Sequence, residues 1–303
     1  MEIIPVIPRG YCKGVTQAIA LAKKTAKENP GVPITMLGMI VHNRYVVDAL
    51  KLVNVHCVEQ KGKTRLELLD EVNEGIVIFT AHGISEEVVK KAKNKGLRCV
   101  DASCSDVKVT QNLVCKAIED GYDVLYIGKL NHPEAEAVLA ISDRVHLIHN
   151  EQSLNDLNID NDKILVTNQT TMSIIEIAKV MDRIRQLYPY AAFEKEICNA
   201  TRIRQEAIQK LENIDLLIVV GDPSSNNSNK LKDIAKQSGI PDVILLESVQ
   251  QLQKEQFIHK NRIAVTSGAS TPTYLTQQVI SYLKDYADGY DPVMPKIELE
   301  KMI

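Results

Sequence analysis

The sequence predicts an α/β protein of three pseudo-threefold-related α/β units, each with a small, mostly parallel sheet, and three observations carry that prediction. One layout occurs three times: a cysteine, a helical stretch, an apolar run, a polar loop, a second helical stretch, a second apolar run and a second polar loop. The offsets agree. From cysteine to first loop the steps are 12 to 42, 104 to 132 and 198 to 225, or 30, 28 and 27; to the second loop they are 12 to 82, 104 to 170 and 198 to 270, or 70, 66 and 72. Strand-like and helix-like patterns alternate throughout, which is the mark of parallel β-α-β construction.

Each cysteine opens an amphipathic helix. Apolar residues follow at Val15, Ala18, Ile19, Ala22 and Ala26, then at Val107, Val114, Ala117 and Ile118, then at Ile203, Ala207, Leu211 and Ile214, with helical spacing. The first apolar runs, Ile34 to Val41, Val124 to Ile127 and Leu216 to Val220, read as buried strands. They end in His42-Asn43, Asn131-His132-Pro133-Glu134 and Ser224-Ser225-Asn226-Asn227. The second runs, Ile76 to Phe79, Ile164 to Val166 and Ile263 to Val265, end in Ala81-His82-Gly83, Gln169-Thr170-Thr171 and Gly268-Ala269-Ser270. Pro133 and Pro272 suit the first position of a helix, and Ser173 with Glu176 forms a capping-box pattern. The units expected are 1–103, 104–197 and 198–290, with a tail at 291–303.

Composition narrows the function. A 45% apolar and 25% charged chain of net charge −3 is an ordinary globular protein with no basic face for nucleic acid. No apolar run approaches the roughly 20 residues of a membrane span, and Met1-Glu2-Ile3-Ile4-Pro5 lacks the features of a signal peptide. A cytoplasmic location with no membrane partner is expected. In that reducing compartment the cysteines at 12, 57, 99, 104, 115 and 198 are not expected to pair as disulfides. No C-x-x-C, G-x-G-x-x-G or Walker-type motif occurs.

Ligands of parallel α/β sheets bind beyond the carboxyl ends of the strands. Three such units would gather Cys12, Cys104, Cys198 and all six loops around one centre. Three thiolates there suit a four-iron cubane with one iron left open, or a zinc ion with one open position. Cys57, Cys99 and Cys115 fall outside the repeat and are expected to be buried apolar residues. His42, His82 and His132 follow strands, and no lysine or arginine occupies the loops. Imidazoles, hydroxyls, amides and helix N-termini together fit a phosphate or diphosphate. His56, His146, His149 and His259 lie outside the register and read as structural. Glu134 is the only carboxylate of the loop ends: a proton source beside a metal centre, or a surface residue compensating a helix dipole.

At these residues the chain resembles the 4-hydroxy-3-methylbut-2-enyl diphosphate reductases of the non-mevalonate isoprenoid pathway, the IspH/LytB family. The matching stretches are Gly10 to Val15, Val41 to Val47, Ala81-His82-Gly83, Asp101 to Cys104, His132-Pro133-Glu134, Gln169-Thr170-Thr171, Ile197 to Thr201, Ser225 to Asn229 and Gly268-Ala269-Ser270. The resemblance implies three α/β units around one central [4Fe-4S] cluster per chain, held by Cys12, Cys104 and Cys198. It implies diphosphate contacts from His42, His82, His132, Ser225, Asn226, Asn227 and Ser270. Thr170 and Glu134 fall at positions near the substrate hydroxyl, with Glu134 delivering the proton. A ferredoxin or flavodoxin donor is implied, with isopentenyl and dimethylallyl diphosphate as products. Lys13, Asn131 and Asn226 depart from the family's usual aromatic, glycine and serine. Two readings of other classes are a three-thiolate zinc hydrolase and a non-catalytic iron–sulfur sensor of a diphosphate metabolite.

Overall fold

All six apolar runs are strands in the computed structural model, which describes residues 1–194 and 197–303, and six further strands flank them. In chain order these are β1 (Glu2–Pro5), β2 (Ile34–Leu37), β3 (Val55–Val58), β4 (Ile76–Phe79), β5 (Arg98–Asp101) and β6 (Asp123–Ile127). Then come β7 (Val145–Ile148), β8 (Ile164–Asn168), β9 (Ala192–Phe193), β10 (Leu216–Val220), β11 (Asp242–Leu246) and β12 (Arg262–Ser267). They form three four-stranded sheets ordered β3-β2-β4-β5, β7-β6-β8-β9 and β11-β10-β12-β1. Every pairing is parallel.

The expected strands are the two inner members of each sheet. Inner strands are covered on both faces, so their sequences are near-continuous apolar runs, and β4, β6, β8 and β10 are buried at every residue. The outer strands β1, β5 and β9 have no buried residue, and their mixed sequences carry no such signal. One inner strand is shorter than expected: β2 stops at Leu37 instead of continuing to Val41. Gly38 turns the chain with φ of +92°, and a Cβ there would lie 2.3 Å from the Arg65 guanidinium carbon. The arginine therefore closes the strand against a residue that has no side chain.

The chain divides into two compact units. The first comprises Met1–Thr16, His42–Leu52 and Asn199–Ile303. Its sheet takes its fourth strand from the N-terminus, where Glu2 to Pro5 of β1 register with Arg262 to Val265 of β12. Leu216, Ile218, Val220, Ile263 and Val265 pack against Leu275, Val279 and Leu283 of the helix Thr273–Ala287, with Phe257 and Met302 closing the core. Pro272 caps that helix from outside (φ −54°, ψ 132°) and is not its first residue. The helix Asn199–Gln209 also departs from expectation. It buries Thr201, Arg204, Gln205 and Ile208, while Ile203 and Ala207 are only half-buried. The guanidinium of Arg204 donates to the Gly10 carbonyl at 2.7 Å, and that bond turns a polar face inward. The tail reaches back too, for Tyr11 donates to the Met302 carbonyl at 2.6 Å.

The second unit comprises Gln17–Val41 and Val53–Cys198 and holds the other two sheets. Alternate residues of β6 serve two cores. Leu125 and Ile127 meet Ile177, Met181 and Ile184, whereas Val124 and Tyr126 meet Val114, Ala117, Ala135 and Val138. Ser173 caps the helix Ile174–Leu187 by accepting from the Glu176 N–H, one of the two bonds of the expected capping box. Among the described residues no helix is long and apolar enough to cross a membrane.

Candidate active site

Each cysteine of the repeat sits between the fourth strand of a sheet and the start of a helix. Cys12 follows β1 and precedes the helix Lys13–Glu28; Cys104 follows β5 and caps Ser105–Glu119; Cys198 follows β9 and precedes Asn199–Gln209. One backbone bond occurs three times. The N–H of Cys12 donates to the Ala269 carbonyl at 3.1 Å, that of Cys104 to Ala81 at 3.0 Å, and that of Cys198 to Thr170 at 3.2 Å. The acceptors are the second polar loops of the repeat, so each loop pins a cysteine. All three cysteines are half-buried, and no disulfide joins any of the six. A helix N-terminus favours the thiolate, the form that binds metal. Soft donors held in this way fit an iron–sulfur cluster and also zinc.

In the first unit the polar donors cluster at the start of the helix Asn226–Gln237. Ser225 caps it, accepting from the Ser228 N–H at 3.3 Å, and Ser270 Oγ lies 3.4 Å from Ser225 Oγ. Ser270 Oγ also donates to the His42 carbonyl at 3.1 Å, tying the first loop's histidine to this group. His42 is itself half-buried, and Asn43 caps the following helix Arg44–Lys51. Asn226 and Asn227 are 3% and 5% exposed. Both polar atoms of the Asn227 side chain are buried without a hydrogen-bond partner among the described residues. An orphaned buried amide is costly, and a bound oxyanion would satisfy its N–H₂. Arg44 supplies no phosphate clamp, because its guanidinium pairs with Glu247 at 2.7 Å.

In the second unit His82 and His132 stand edge to face, with ring centroids 5.6 Å apart. His132 caps the helix Pro133–Leu139: its Nδ1 accepts from the Glu134 N–H at 3.1 Å, which leaves the proton of the neutral ring on Nε2. Pro133 takes the first helical position, as expected. Glu134 is 1% exposed, so it is not a surface carboxylate compensating a dipole. Thr170 holds it twice, from N–H to Oε1 at 2.8 Å and from Oγ1 to Oε2 at 2.9 Å. Burial pushes its carboxyl up to about 7, outweighing the bonds from Thr170 and from Tyr126 that favour the anion. A carboxyl of that affinity is half-protonated near neutrality, as a general acid should be.

Tyr126 was absent from the residues the sequence singled out. Its hydroxyl lies 3.5 Å from Glu134 Oε1, and a phenol inside an apolar strand is a signal in itself, since it needs a buried partner. Gln169 was named only as part of its loop. It is fully buried, accepts from the Lys129 N–H at 2.9 Å and donates to Thr171, locking that loop. The other cysteines are less buried than expected: Cys57 and Cys99 lie half-buried on outer strands and Cys115 is exposed. His56, His149 and His259 are exposed, and His146 pairs with Asp123 at 2.8 Å.

Comparison with known proteins adds independent findings. A family profile described as LytB protein matches residues 3–284. A 4-hydroxy-3-methylbut-2-enyl diphosphate reductase of Bacillus mycoides (strain KBAB4) is 45% identical over 314 residues, covering 100% of this chain and 97% of that one. The Macrococcus caseolyticus (strain JCSC5402) protein of the same name is 44% identical, covering 97% and 91%. Among solved structures, the E-1-hydroxy-2-methyl-but-2-enyl-4-diphosphate reductase from Plasmodium falciparum superposes with a TM-score of 0.88 at 31% identity, covering 99% of this chain and 95% of that one. A second solved (E)-4-hydroxy-3-methyl-but-2-enyl diphosphate reductase, described as the terminal enzyme of the non-mevalonate pathway, gives 0.65 at 29% identity, covering 94% and 100%.

Proposed function

Because the chain belongs to the LytB family, and on that ground is a 4-hydroxy-3-methylbut-2-enyl diphosphate reductase, we propose that Cys12, Cys104 and Cys198 hold a [4Fe-4S] cluster for its reductive dehydroxylation. The observation that carries this reading is the thrice-repeated bond from a cysteine N–H to the second polar loop, which gives these three cysteines, and not Cys57, Cys99 or Cys115, one common setting. When bound, such a cluster supplies single electrons and a Lewis-acidic iron for the hydroxyl oxygen.

The chain's own residues bind the substrate and move a proton. Asn226, Asn227, Ser225 and Ser270 offer amide and hydroxyl donors at a helix start, and His42, His82 and His132 offer imidazole donors for the same diphosphate. His132 donates through Nε2, since Nδ1 is engaged by the backbone. Glu134 holds the proton that leaves with the substrate hydroxyl as water, and Thr170 orients it through two bonds. Two electrons and two protons enter and one water leaves, giving isopentenyl or dimethylallyl diphosphate according to which end of the allyl group is protonated. The electrons come from a ferredoxin or flavodoxin, and the enzyme works in the cytoplasm. Iron and acid-labile sulfide in protein purified without oxygen test the cluster, and zinc without sulfide would overturn it. Turnover of the allylic diphosphate with a chemical reductant tests the reaction; tight binding without turnover would make the protein a sensor.

A further inference from the structure

Glu134 is gripped from two sides, and only one of them is Thr170. On the other lies Tyr126, the fourth residue of β6 and fully buried. Its ring packs among Val114, Ala117, Ala135 and Val138 and passes over Gly128, where a Cβ would lie 2.9 Å from the ring edge. Glu134 Oε1, at 3.5 Å, is the one hydrogen-bond partner of this phenol among the described residues. Oε1 therefore receives two donors, the Thr170 N–H and the Tyr126 hydroxyl, while Oε2 meets only the Thr170 hydroxyl among the described residues. A backbone N–H can only donate, whereas a threonine hydroxyl donates or accepts. A proton on Oε2 thus finds an acceptor, and one on Oε1 would confront a fixed N–H.

We infer that Tyr126 is a positioning residue for the reaction: with the Thr170 N–H it reserves Glu134 Oε1 for hydrogen-bond donors and so confines the transferable proton to Oε2. The inference rests on Glu134 as the proton donor. Burial holds the phenol's own ionisation well above 10, so it donates throughout the working pH range. Among the described residues no charged side chain competes with it at Glu134. His132, at the helix start, turns Nδ1 to the Glu134 N–H; Glu136, two residues on and on another face of the helix, accepts from the Arg65 N–H; the helix Ser105–Glu119 brings Val114 and Ala117 to the Tyr126 cluster; and the β8 side presents Leu165 and Thr170.

The test uses cluster-loaded protein in four forms: wild type, Tyr126→Phe, Glu134→Gln and the double variant. The infrared carbonyl band of protonated Glu134, identified by its absence in Glu134→Gln, is titrated in wild type and in Tyr126→Phe. Phenylalanine keeps the ring over Gly128 and removes only the hydroxyl. The band's midpoint should rise from about 7 by on the order of half to one pH unit, a roughly three- to tenfold gain in proton affinity. The alkaline limb of the kcat profile should move upward with it. In the Glu134→Gln background the same substitution should change kcat by less than about twofold, because glutamine carries no acidic proton for Tyr126 to place. An unmoved band with Glu134→Gln inactive overturns the role of Tyr126 alone, as does an equal loss of kcat in both backgrounds. Wild-type turnover by Glu134→Gln overturns the proton-donor reading itself, and Tyr126's place in the reaction with it.

Discussion

Replacing Glu134 by glutamine should stabilise the protein above neutral pH while stopping most turnover. The carboxyl is buried and its proton affinity is raised from the ordinary 4.5 to about 7. A group whose folded pKa is raised contributes stability that is full below 4.5 and is lost as pH rises through about 7. At 1.36 kcal/mol per pH unit, that displacement puts the cost of the buried carboxylate at about 3 kcal/mol at pH 8. Glutamine never ionises. Its carbonyl can accept from the Thr170 N–H and the Tyr126 hydroxyl, and its N–H₂ can donate to Thr170 Oγ1, so each bond of the native side chain has a replacement. The two proteins should therefore be nearly equal in stability at pH 4.5 and diverge up to about pH 7, the variant gaining. Urea unfolding midpoints of preparations matched in iron, taken at pH 5 and pH 8, measure this directly. Turnover should fall by about 10²–10⁴, the usual contribution of a general acid. A stability gap that does not widen with pH would show that Glu134 is already ionised at pH 5, and the argument from burial would fail.

Three other outcomes are expected. Cys12→Ser, Cys104→Ser and Cys198→Ser should each lose most of the iron, whereas Cys57→Ser, Cys99→Ser and Cys115→Ser keep it; a full iron complement in Cys104→Ser would contradict the assignment. Asn227→Ala should weaken pyrophosphate binding by about 1.5–3 kcal/mol in titration calorimetry. It should leave the melting temperature level or higher, because the amide it removes is unsatisfied in the ligand-free protein. Gly38→Ala should destabilise by more than about 1 kcal/mol, since alanine must both adopt a positive φ and displace the Arg65 guanidinium; an unchanged Tm would refute the packing described at that turn.

Much of the fold was legible because parallel sheets concentrate their apolar residues in inner strands. β4 and β10 could be read to the residue, but β5 and β9, with no buried residue, could not. The missing outer strands also hid a regularity, for each repeat cysteine lies between a fourth strand and the helix that comes next in the chain. Cys12, Cys104 and Cys198 were found from register alone, without the backbone bonds that make their settings alike. Thr170 was visible as a loop residue, yet its two hydrogen bonds to Glu134 depend on where β8 ends relative to the helix Pro133–Leu139. Tyr126 and Arg204 were missed for opposite reasons. The phenol falls inside an apolar run and is read with it, whereas Arg204 lies between the apolar positions of its helix, where periodicity carries no sign of a buried guanidinium.

The pairing of β1 with β12 sets a schedule for the newborn chain. β1 is made 260 residues ahead of its partners, Arg262 to Val265. At about 5–20 residues per second the first strand waits on the order of tens of seconds for a neighbour. The segment after it waits as well: Gly10 is anchored to Ser267, and the Cys12 N–H to Ala269. The sheets of β2 to β5 and β6 to β9 draw only on their own stretches and can close during synthesis. Any prosthetic group that needs Cys12 in its final setting must therefore be loaded after Ala269 has been made, and a chain cut short before Arg262 would leave Cys12 without its backbone partner.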